Sequence, residues 1–197
     1  MSDFYEARNS VYCYKDSNIL KNKLDIKDSN LLEDIERKLV IAKLFELRQN
    51  TKIGKFDIEH FVGIHRYLFE DIYPFAGLFR TENIAKGHFS FAQWEFIEKE
   101  LRRLLDELKQ DNYLNDLNKE EFTKKLAYYM AELNVLHPFR EGNGRTIREF
   151  IRQLAFYNGY VLDLQEIEPQ DMLNASIRSV VYTDKLEEML SKCLKRK

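Results

Sequence analysis

Apolar residues recur at steps of three and four along most of the chain from residue 28 onward, which is the period of an amphipathic α-helix. The first run follows a capping residue, Asp28 or Ser29, and ends near Gln49. Its apolar positions are Leu32, Ile35, Leu39 and Ala42. The pattern therefore predicts a long first helix with one buried face.

Four further stripes predict helices, and two shorter ones follow at about residues 169–179 and 183–194. The second stripe begins at Asp57 and is broken by the sequence YPFAG, and the fifth covers about residues 144–157. The apolar positions are Ile58, Phe61, Val62, His65, Leu68, Phe69 and Ile72; Trp94, Ile97, Leu101, Leu104, Leu105 and Leu108; Phe122, Leu126, Tyr129, Leu133 and Leu136; and Ile147, Phe150, Ile151 and Leu154. We expect these stripes to form the core, with His65 as a hydrogen-bonded core histidine instead of a ligand or base.

One segment departs from the helical period. In ENIAKGHFSFA, residues 82–92, Lys86 and Gly87 separate two short runs, and Phe89 and Phe91 alternate with polar residues. This predicts a small β-hairpin over residues 82–91. Because an isolated hairpin is marginal in water, we expect it to lean on the helices or to accept another strand at its edge.

Composition supports one globular domain over residues 1–197, with residues 1–27 as an N-terminal extension and an all-α fold carrying the hairpin. Hydrophobic residues make up 44% of the chain and charged residues 32%. The formal charge of −2 gives no broad field for nucleic acid, and the basic end KCLKRK is predicted to be a solvated helix end. Cys13 and Cys193 lack metal-ligand spacing, and neither a signal peptide nor a membrane-length apolar run is present, so we expect a cytoplasmic protein that does not enter a membrane.

The chemistry concentrates in LHPFREGNGRTIREF, residues 136–150. Pro138 disfavours helix at His137, so the pattern predicts that the fourth helix ends there and leaves the imidazole at the mouth of a loop, positioned and not buried. Gly142 and Gly144 both allow positive φ, so successive backbone N–H groups can point into one concavity where the fifth helix begins. A helix N-terminus of this kind binds phosphate oxygens.

The charged residues of this segment predict phosphoryl chemistry. Arg145 and Arg148 oppose the helix macrodipole at their positions, an arrangement that an anionic ligand would offset. Glu141 beside phosphates is favourable when Mg²⁺ bridges the two. We further expect Asn143 to donate its side-chain amide to a phosphoryl oxygen, Phe139 to turn inward, and His137 to act as base for an incoming hydroxyl.

An ordinary interpretation stays open at this point: GNG can be a simple turn, and Glu141 with Arg145 can be a simple ion pair at four-residue spacing.

Residues 137–148 resemble the signature of the Fic family, His-Pro-Phe-x-(Asp or Glu)-Gly-Asn-Gly-Arg-x-x-Arg, and match it at every specified position. The segments YLFEDIYPFAG and NIAKGHFSFA are also similar to those around that family's flap hairpin, so the likeness covers about residues 10–195. The resemblance implies a compact helical bundle of the Fic type with one hairpin. It also implies transfer of AMP from ATP to a Tyr, Thr or Ser hydroxyl of a target protein, with release of pyrophosphate.

The resemblance assigns roles to the matching residues. His137 would take the proton from the hydroxyl, and Glu141 would hold Mg²⁺. Gly142, Asn143 and Gly144 would form the anion hole, and Arg145 and Arg148 would hold the outer phosphates. The hairpin would pair with the main chain of the target, and its residues are Ile84, Ala85, Lys86, Gly87, His88 and Phe89.

Family members are often restrained by a helix with the pattern (Ser or Thr)-x-x-x-Glu-(Gly or Asn), whose glutamate pairs with the second motif arginine, here Arg148. Three pairs have that spacing without the final Gly or Asn: Ser2 with Glu6, Ser29 with Glu33, and Thr183 with Glu187. Ser29 with Glu33 is our first choice as an internal inhibitor. The alternatives are a small antitoxin or other inhibitory partner chain, and no restraint. Assembly into a homo-oligomer is a separate open question.

Two other functions stay open. The same pocket could transfer UMP, phosphate or phosphocholine, as relatives of the resembled family do. A non-enzymatic helical adaptor or DNA-binding regulator is the less favoured alternative. The balanced charge of the chain disfavours direct contact with nucleic acid.

Overall fold

The architecture is a bundle of helices around a central pair, α4 and α5, with two small two-stranded sheets at its surface. The computed structural model describes residues 10–50, 53–87, 89–164 and 167–197. Its helices are α1 (Ser29–Gln49), α2 (Ile58–Phe69), α3 (Ile97–Gln110), α4 (Lys119–Leu136), α5 (Asn143–Tyr157), α6 (Pro169–Arg178) and α7 (Asp184–Cys193). Its strands are β1 (Ala85–Lys86), β2 (Phe89–Ser90), β3 (Tyr160–Leu162) and β4 (Leu194–Arg196). Within these described ranges, every helix is too short or too polar to cross a bilayer.

Helix α1 begins where its cap predicts and buries a different stripe from the expected one. The Asp28 carboxylate accepts a hydrogen bond from the Leu31 N–H at 2.9 Å. The buried positions are Leu32, Glu36 and Val40, whereas Ala42 is exposed. The buried residues are therefore spaced four apart and form a narrow stripe. The stripe is narrow because α1 packs mainly against one neighbour, α2.

The central pair is joined by a sharp corner. Helix α4 ends at Leu136 because His137 adopts a left-handed conformation, with φ 46°, before Pro138. The chain becomes helical again at Asn143, where α5 begins. Helix α5 packs against α2 and β3, and α4 also packs against α3 and α7. The predicted core stripes of α4 and α5 are buried, so this corner is fixed by a packed interior on both sides.

Several expected boundaries are wrong. The helical period predicts Trp94 on the buried stripe of the third helix, yet Trp94 lies in a short 3-10 turn, Trp94–Phe96, and is 39% exposed. Helix α2 ends at Phe69, and Ile72 is buried beyond the helix. In both places a tight turn, not the helical period, decides which way the side chain points.

The chain has a second small sheet that the pattern did not predict. Strand β3 pairs antiparallel with β4, and Leu162 lies opposite Leu194. The basic end was predicted to be a solvated helix end, but Lys195 and Arg196 extend as a strand. Leu194 is 2% exposed, so burying its side chain and pairing the backbone stabilise a strand over continued helix.

The described part of the predicted N-terminal extension packs on the helices. The Tyr12 ring meets the Phe75 ring edge to face, with centroids 5.1 Å apart. The Lys23 N–H donates to the Ile72 carbonyl at 2.8 Å. The backbones of Cys13 and Leu20 form an isolated antiparallel β-bridge. Residues 10–27 therefore contribute to the same packed body as α2.

Candidate active site

His137 stands at the corner between α4 and α5 with its Nδ1 bound to a backbone carbonyl. Its Nδ1 lies 3.1 Å from the Asn134 carbonyl, which can only accept, so Nδ1 carries the proton. In the neutral imidazole, Nε2 then keeps the lone pair that a base requires. The residue is only 9% exposed, and its ring stacks on Phe91 at 3.9 Å between centroids. The expectation of an unburied imidazole is thus wrong, because the chain leaving the hairpin covers one ring face.

Only one of the two motif glycines has positive φ. Gly142 has φ 81° and caps α5, whereas Gly144 lies within the helix. A Cβ at Gly142 would lie 2.3 Å from the Phe69 ring, so no side chain fits. No side chain caps the start of α5, and its first N–H groups face the loop that the sequence assigns to phosphate.

Asn143 is used inside the protein. Its amide oxygen accepts from the Phe139 N–H at 2.8 Å, and its amide nitrogen donates to the Phe139 carbonyl at 2.7 Å. With the residue 1% exposed, the expected donation from this side chain to a phosphate is wrong. The amide instead closes the loop, and only the Asn143 backbone N–H is left for the anion site.

Arg145 lies between two carboxylates. Its Nη1 is 2.5 Å from Glu36 Oε1, and its Nη2 is 3.3 Å from Glu141 Oε1. The Tyr73 hydroxyl donates to the other Glu36 oxygen, and the guanidinium stacks over the Phe69 ring at 4.7 Å. One arginine thus pairs with two acids, so this partly buried cluster carries excess negative charge when both acids are ionised.

The pKa values in this cluster follow from burial and charge. Burial raises the pKa of Glu141, Arg145 opposes this effect, and the Glu36 carboxylate adds to it. Burial alone would lower the pKa of Arg145, but the carboxylates of Glu36 and Glu141 outweigh burial and raise it. Among the described residues Glu141 Oε2 accepts no hydrogen bond, while Oε1 accepts the Gly142 N–H at 2.8 Å. A divalent cation at Glu141 would relieve the excess charge.

His65 anchors the loop from beneath. Its Nδ1 accepts the Gly77 N–H at 2.8 Å, so Nε2 carries the proton and donates to the Glu141 carbonyl at 2.9 Å. Burial lowers the pKa of His65 to about 3, and the ring stacks on Phe139 at 3.7 Å. The predictions of a hydrogen-bonded core histidine and an inward Phe139 are both confirmed. His65 also fixes the backbone of Glu141, which the sequence did not indicate.

The remaining predicted site residues are Arg148 on α5 and the residues of the hairpin. Arg148 reaches back over the start of α5, since a Cβ on Gly144 would lie 3.0 Å from its Nη1. In the hairpin, Ala85 pairs with Ser90 and Lys86 with Phe89. Ile84 is buried and Gly87 has φ 59° at the turn, and His88 lies outside the described residues.

Within the described residues, the motif arginine Arg145 pairs with Glu36 and Glu141, and with neither Glu33 nor Glu187. Glu33 is exposed on α1, and the inhibitory role of Ser29 with Glu33 stays a prediction; from the same helix, Glu36 reaches the motif arginine Arg145. The Thr183 hydroxyl donates to Glu187 at 2.6 Å, a local bond at the start of α7. The pair Ser2 and Glu6 lies outside the described residues.

Sequence reasoning missed two supporting acids, Glu36 and Glu82, and the buried Arg140 that pairs with Glu82. Glu36 had a visible signal, because a carboxylate occurs between Leu32 and Val40 at four-residue steps on an otherwise apolar line. Glu82 accepts from Arg140 Nε at 2.9 Å and from the Ser10 hydroxyl at 2.6 Å, and no periodicity marks it. Within the described ranges, no cluster of three or more His, Cys, Asp or Glu residues could hold a metal.

Comparison with known proteins gives a consistent picture. The family model described as Fic/DOC family matches residues 55–155. Protein adenylyltransferase VbhT of Bartonella schoenbuchensis is 42% identical over 89% of this chain, which spans 37% of that protein's length. The probable protein adenylyltransferase y4lH of Sinorhizobium fredii is 38% identical over 89% of this chain and 90% of its own length.

Solved structures agree in fold. The BepC protein of Bartonella tribocorum with bound AMPPNP superposes with a TM-score of 0.89 at 27% identity, covering 94% of this chain and 97% of that one. An N-terminal Fic domain from Bartonella quintana with bound ADP gives a TM-score of 0.88 at 28% identity, covering 94% and 95%. Both structures hold an adenine nucleotide.

Proposed function

Since this chain belongs to the Fic/DOC family, we propose that it transfers AMP from ATP to a hydroxyl side chain, of Tyr, Thr or Ser, on a target protein. The proposal rests chiefly on one observation. The Asn134 carbonyl fixes the proton on Nδ1 of His137, which leaves Nε2 as a base at the corner that precedes the uncapped start of α5.

In the proposed reaction, Nε2 of His137 takes the proton of the target hydroxyl. The hydroxyl oxygen then bonds to the α-phosphorus of ATP, and the bond between that phosphorus and the bridging oxygen breaks. Pyrophosphate leaves with the bonding electrons. The first N–H groups of α5, from Asn143 and Gly144, stabilise charge on the phosphate oxygens, and Arg145 and Arg148 hold the outer phosphates.

Glu141 is the residue proposed to hold Mg²⁺. Its carboxylate is partly buried beside a second acid, Glu36, and its Oε2 accepts no hydrogen bond from the described residues, which fits a cation ligand. The ion, when bound, would neutralise phosphate charge. The Gly142 N–H holds the Glu141 carboxylate in place, and His65 holds the Glu141 backbone carbonyl.

The hairpin is the proposed docking edge for the target. Among the described residues its two strands form a sheet of their own, and a target strand would pair through its main chain along an outer edge of that sheet. Restraint by a small inhibitory partner, assembly into homo-oligomers and a cytoplasmic location stay predictions.

Labelled ATP tests the function directly. The protein is incubated with Mg²⁺, a protein extract and ATP carrying the label on either the α- or the γ-phosphate. AMP transfer predicts protein-bound label from the α position only, and mass spectrometry of the modified residue gives the group added. Label from the γ position would indicate phosphate transfer and contradict the proposal.

The variant His137→Ala separates chemistry from binding. We expect a fall in transfer of at least about 100-fold, because the base is lost, with ATP affinity changed less than about threefold. Calorimetry with ATP and Mg²⁺ measures the affinity. Undiminished labelling by His137→Ala would remove this residue from the role of base.

A further inference from the structure

Arg80 is a buried arginine between α2 and the hairpin. It is 1% exposed, and its guanidinium donates to four carbonyl oxygens of the described residues. Two belong to the corner after α4: His137, 2.9 Å from Nε, and Leu136, 3.3 Å from Nη2. The other two are Glu82, 2.7 Å from Nη1, and Ala92, 2.5 Å from Nη2.

These carbonyls come from two separate parts of the site. Glu82 precedes β1 and Ala92 follows β2, so the guanidinium binds both ends of the hairpin. Leu136 and His137 form the end of α4, where the negative end of the helix macrodipole favours a cation. A single charged group therefore joins the hairpin to the catalytic corner.

Backbone hydrogen bonds strengthen the same junction. The Arg80 N–H donates to the Pro138 carbonyl at 2.9 Å, so this one residue binds three consecutive carbonyls, 136–138. The Ala92 N–H donates to the Val135 carbonyl at 3.1 Å. His137 needs such support because a left-handed φ of 46° is unfavourable for a residue with a Cβ.

We propose that Arg80 is a positioning residue that fixes the distance between the hairpin and the His137 imidazole. A target strand paired with the hairpin then presents its hydroxyl to Nε2 in a reactive geometry. This inference rests on the proposed function, because it concerns how a protein acceptor meets the base. A planar guanidinium suits the role better than an ammonium, since its N–H groups diverge in fixed directions.

The proposal separates target transfer from nucleotide binding. The four carbonyls belong to the hairpin ends and to the corner after α4, and none belongs to α5 or to Glu141. Loss of Arg80 should therefore misplace the acceptor more than it weakens ATP binding. Small misplacements of reacting groups cost about 100-fold in rate.

The test compares Arg80→Lys with the matched variant Arg152→Lys. Arg152 is another largely buried arginine, and it donates twice to Glu149 within α5. Transfer to extract proteins from α-labelled ATP, ATP affinity by calorimetry, and the imidazole signals in long-range ¹H–¹⁵N spectra are measured for both. We expect Arg80→Lys to lose about 100-fold in transfer, to keep ATP affinity within about threefold, and to shift His137 away from a pure Nδ1–H tautomer. Arg152→Lys should change none of these.

Two outcomes overturn the proposal: wild-type transfer by folded Arg80→Lys, or equal losses of transfer and ATP affinity. If no variant and not even the wild type transfers AMP, the proposed function fails, while the His137 spectra still decide whether Arg80 sets the imidazole.

Should Arg80→Lys fail to fold, hydrogen exchange of the wild type decides. The amides of Arg80 and Ala92 bond to the corner and should show one shared opening free energy once their intrinsic exchange rates are taken into account. Independent exchange of the two amides would show that hairpin and corner are not one unit.

Discussion

At the residue scale, individual side chains are prepared for their roles by backbone carbonyls. The Asn134 carbonyl selects the tautomer of His137, and the Glu141 carbonyl is bound by His65. Carbonyls accept but never donate, so each such bond determines where a proton lies. Arg145 is also held in position before any nucleotide binds, in its case by ion pairs with two carboxylates.

The first prediction concerns Glu36, which holds Arg145. If Glu141 turns to a metal, Glu36 is the acid that keeps the guanidinium in place. We expect Glu36→Gln to raise the Kd for ATP with Mg²⁺ about tenfold, because a hydrogen bond to a charged group contributes about 1.5–3 kcal/mol. Calorimetry measures this change.

The control for Glu36 lies on the same helix. Glu33→Gln changes an exposed acid and should leave both ATP affinity and AMP transfer unchanged. Faster transfer by Glu33→Gln would instead support Glu33 as an internal brake. Unchanged affinity in Glu36→Gln would contradict the role given to Glu36.

At the element scale, the start of α5 depends on glycine geometry. Gly142 supplies a positive φ and admits the Phe69 ring, and Gly144 leaves room for the Arg148 side chain. The helix consequently begins without a capping side chain and keeps its first N–H groups for an anion.

The second prediction is a set of glycine variants. Gly142→Ala should lower the free energy of unfolding by about 3 kcal/mol, from the positive φ and the clash with Phe69. Gly159→Ala has a similar φ, 78°, with no atom within 4 Å of the added Cβ, and should lose only about 1 kcal/mol. Denaturant unfolding measures both values, and equal losses would contradict the clash.

The third prediction separates binding from stability at Gly144. In Gly144→Ala the new Cβ lies 3.0 Å from Arg148 Nη1 and must displace that guanidinium. The residue is helical, so alanine should stabilise the fold by about 0.5–1 kcal/mol. We expect weaker ATP binding in a more stable protein. Wild-type affinity would remove Arg148 from the phosphate site.

At the scale of the whole molecule, the core contains titratable groups that the fold keeps neutral. Burial lowers the pKa of His65 to about 3 and also lowers the pKa of His60. A lowered folded-state pKa means that the unfolded chain binds the proton first. The stability from each histidine is therefore complete above its unfolded pKa of about 6.5 and is lost as the pH falls toward the folded pKa.

The fourth prediction follows from that sign. Between pH 7 and pH 5 the unfolding free energy of the wild type should fall by about 2 kcal/mol through His65 alone. His65→Gln keeps a donor and an acceptor without titrating, so its acid slope should be shallower by that amount, with His60 common to both proteins. Denaturant unfolding at several pH values measures the slopes, and parallel slopes would contradict the buried neutral histidine.

The sequence by itself determined the local architecture and the chemistry of the motif. The period of three and four residues located the helices, Asp28 marked the start of α1, and Pro138 marked the end of α4. Residues 137–148 also carried the family signature. These features depend on contacts within a few residues, which spacing along the chain encodes.

Only the tertiary structure decided which distant groups support the site. Arg145 meets Glu36 across 109 positions, and Arg80 meets His137 across 57. The pairing of β3 with β4 likewise joins segments with no shared local signal. A buried polar group must find a partner, but its identity depends on how helices pack, and the pattern of one segment carries no information about the segment that packs against it.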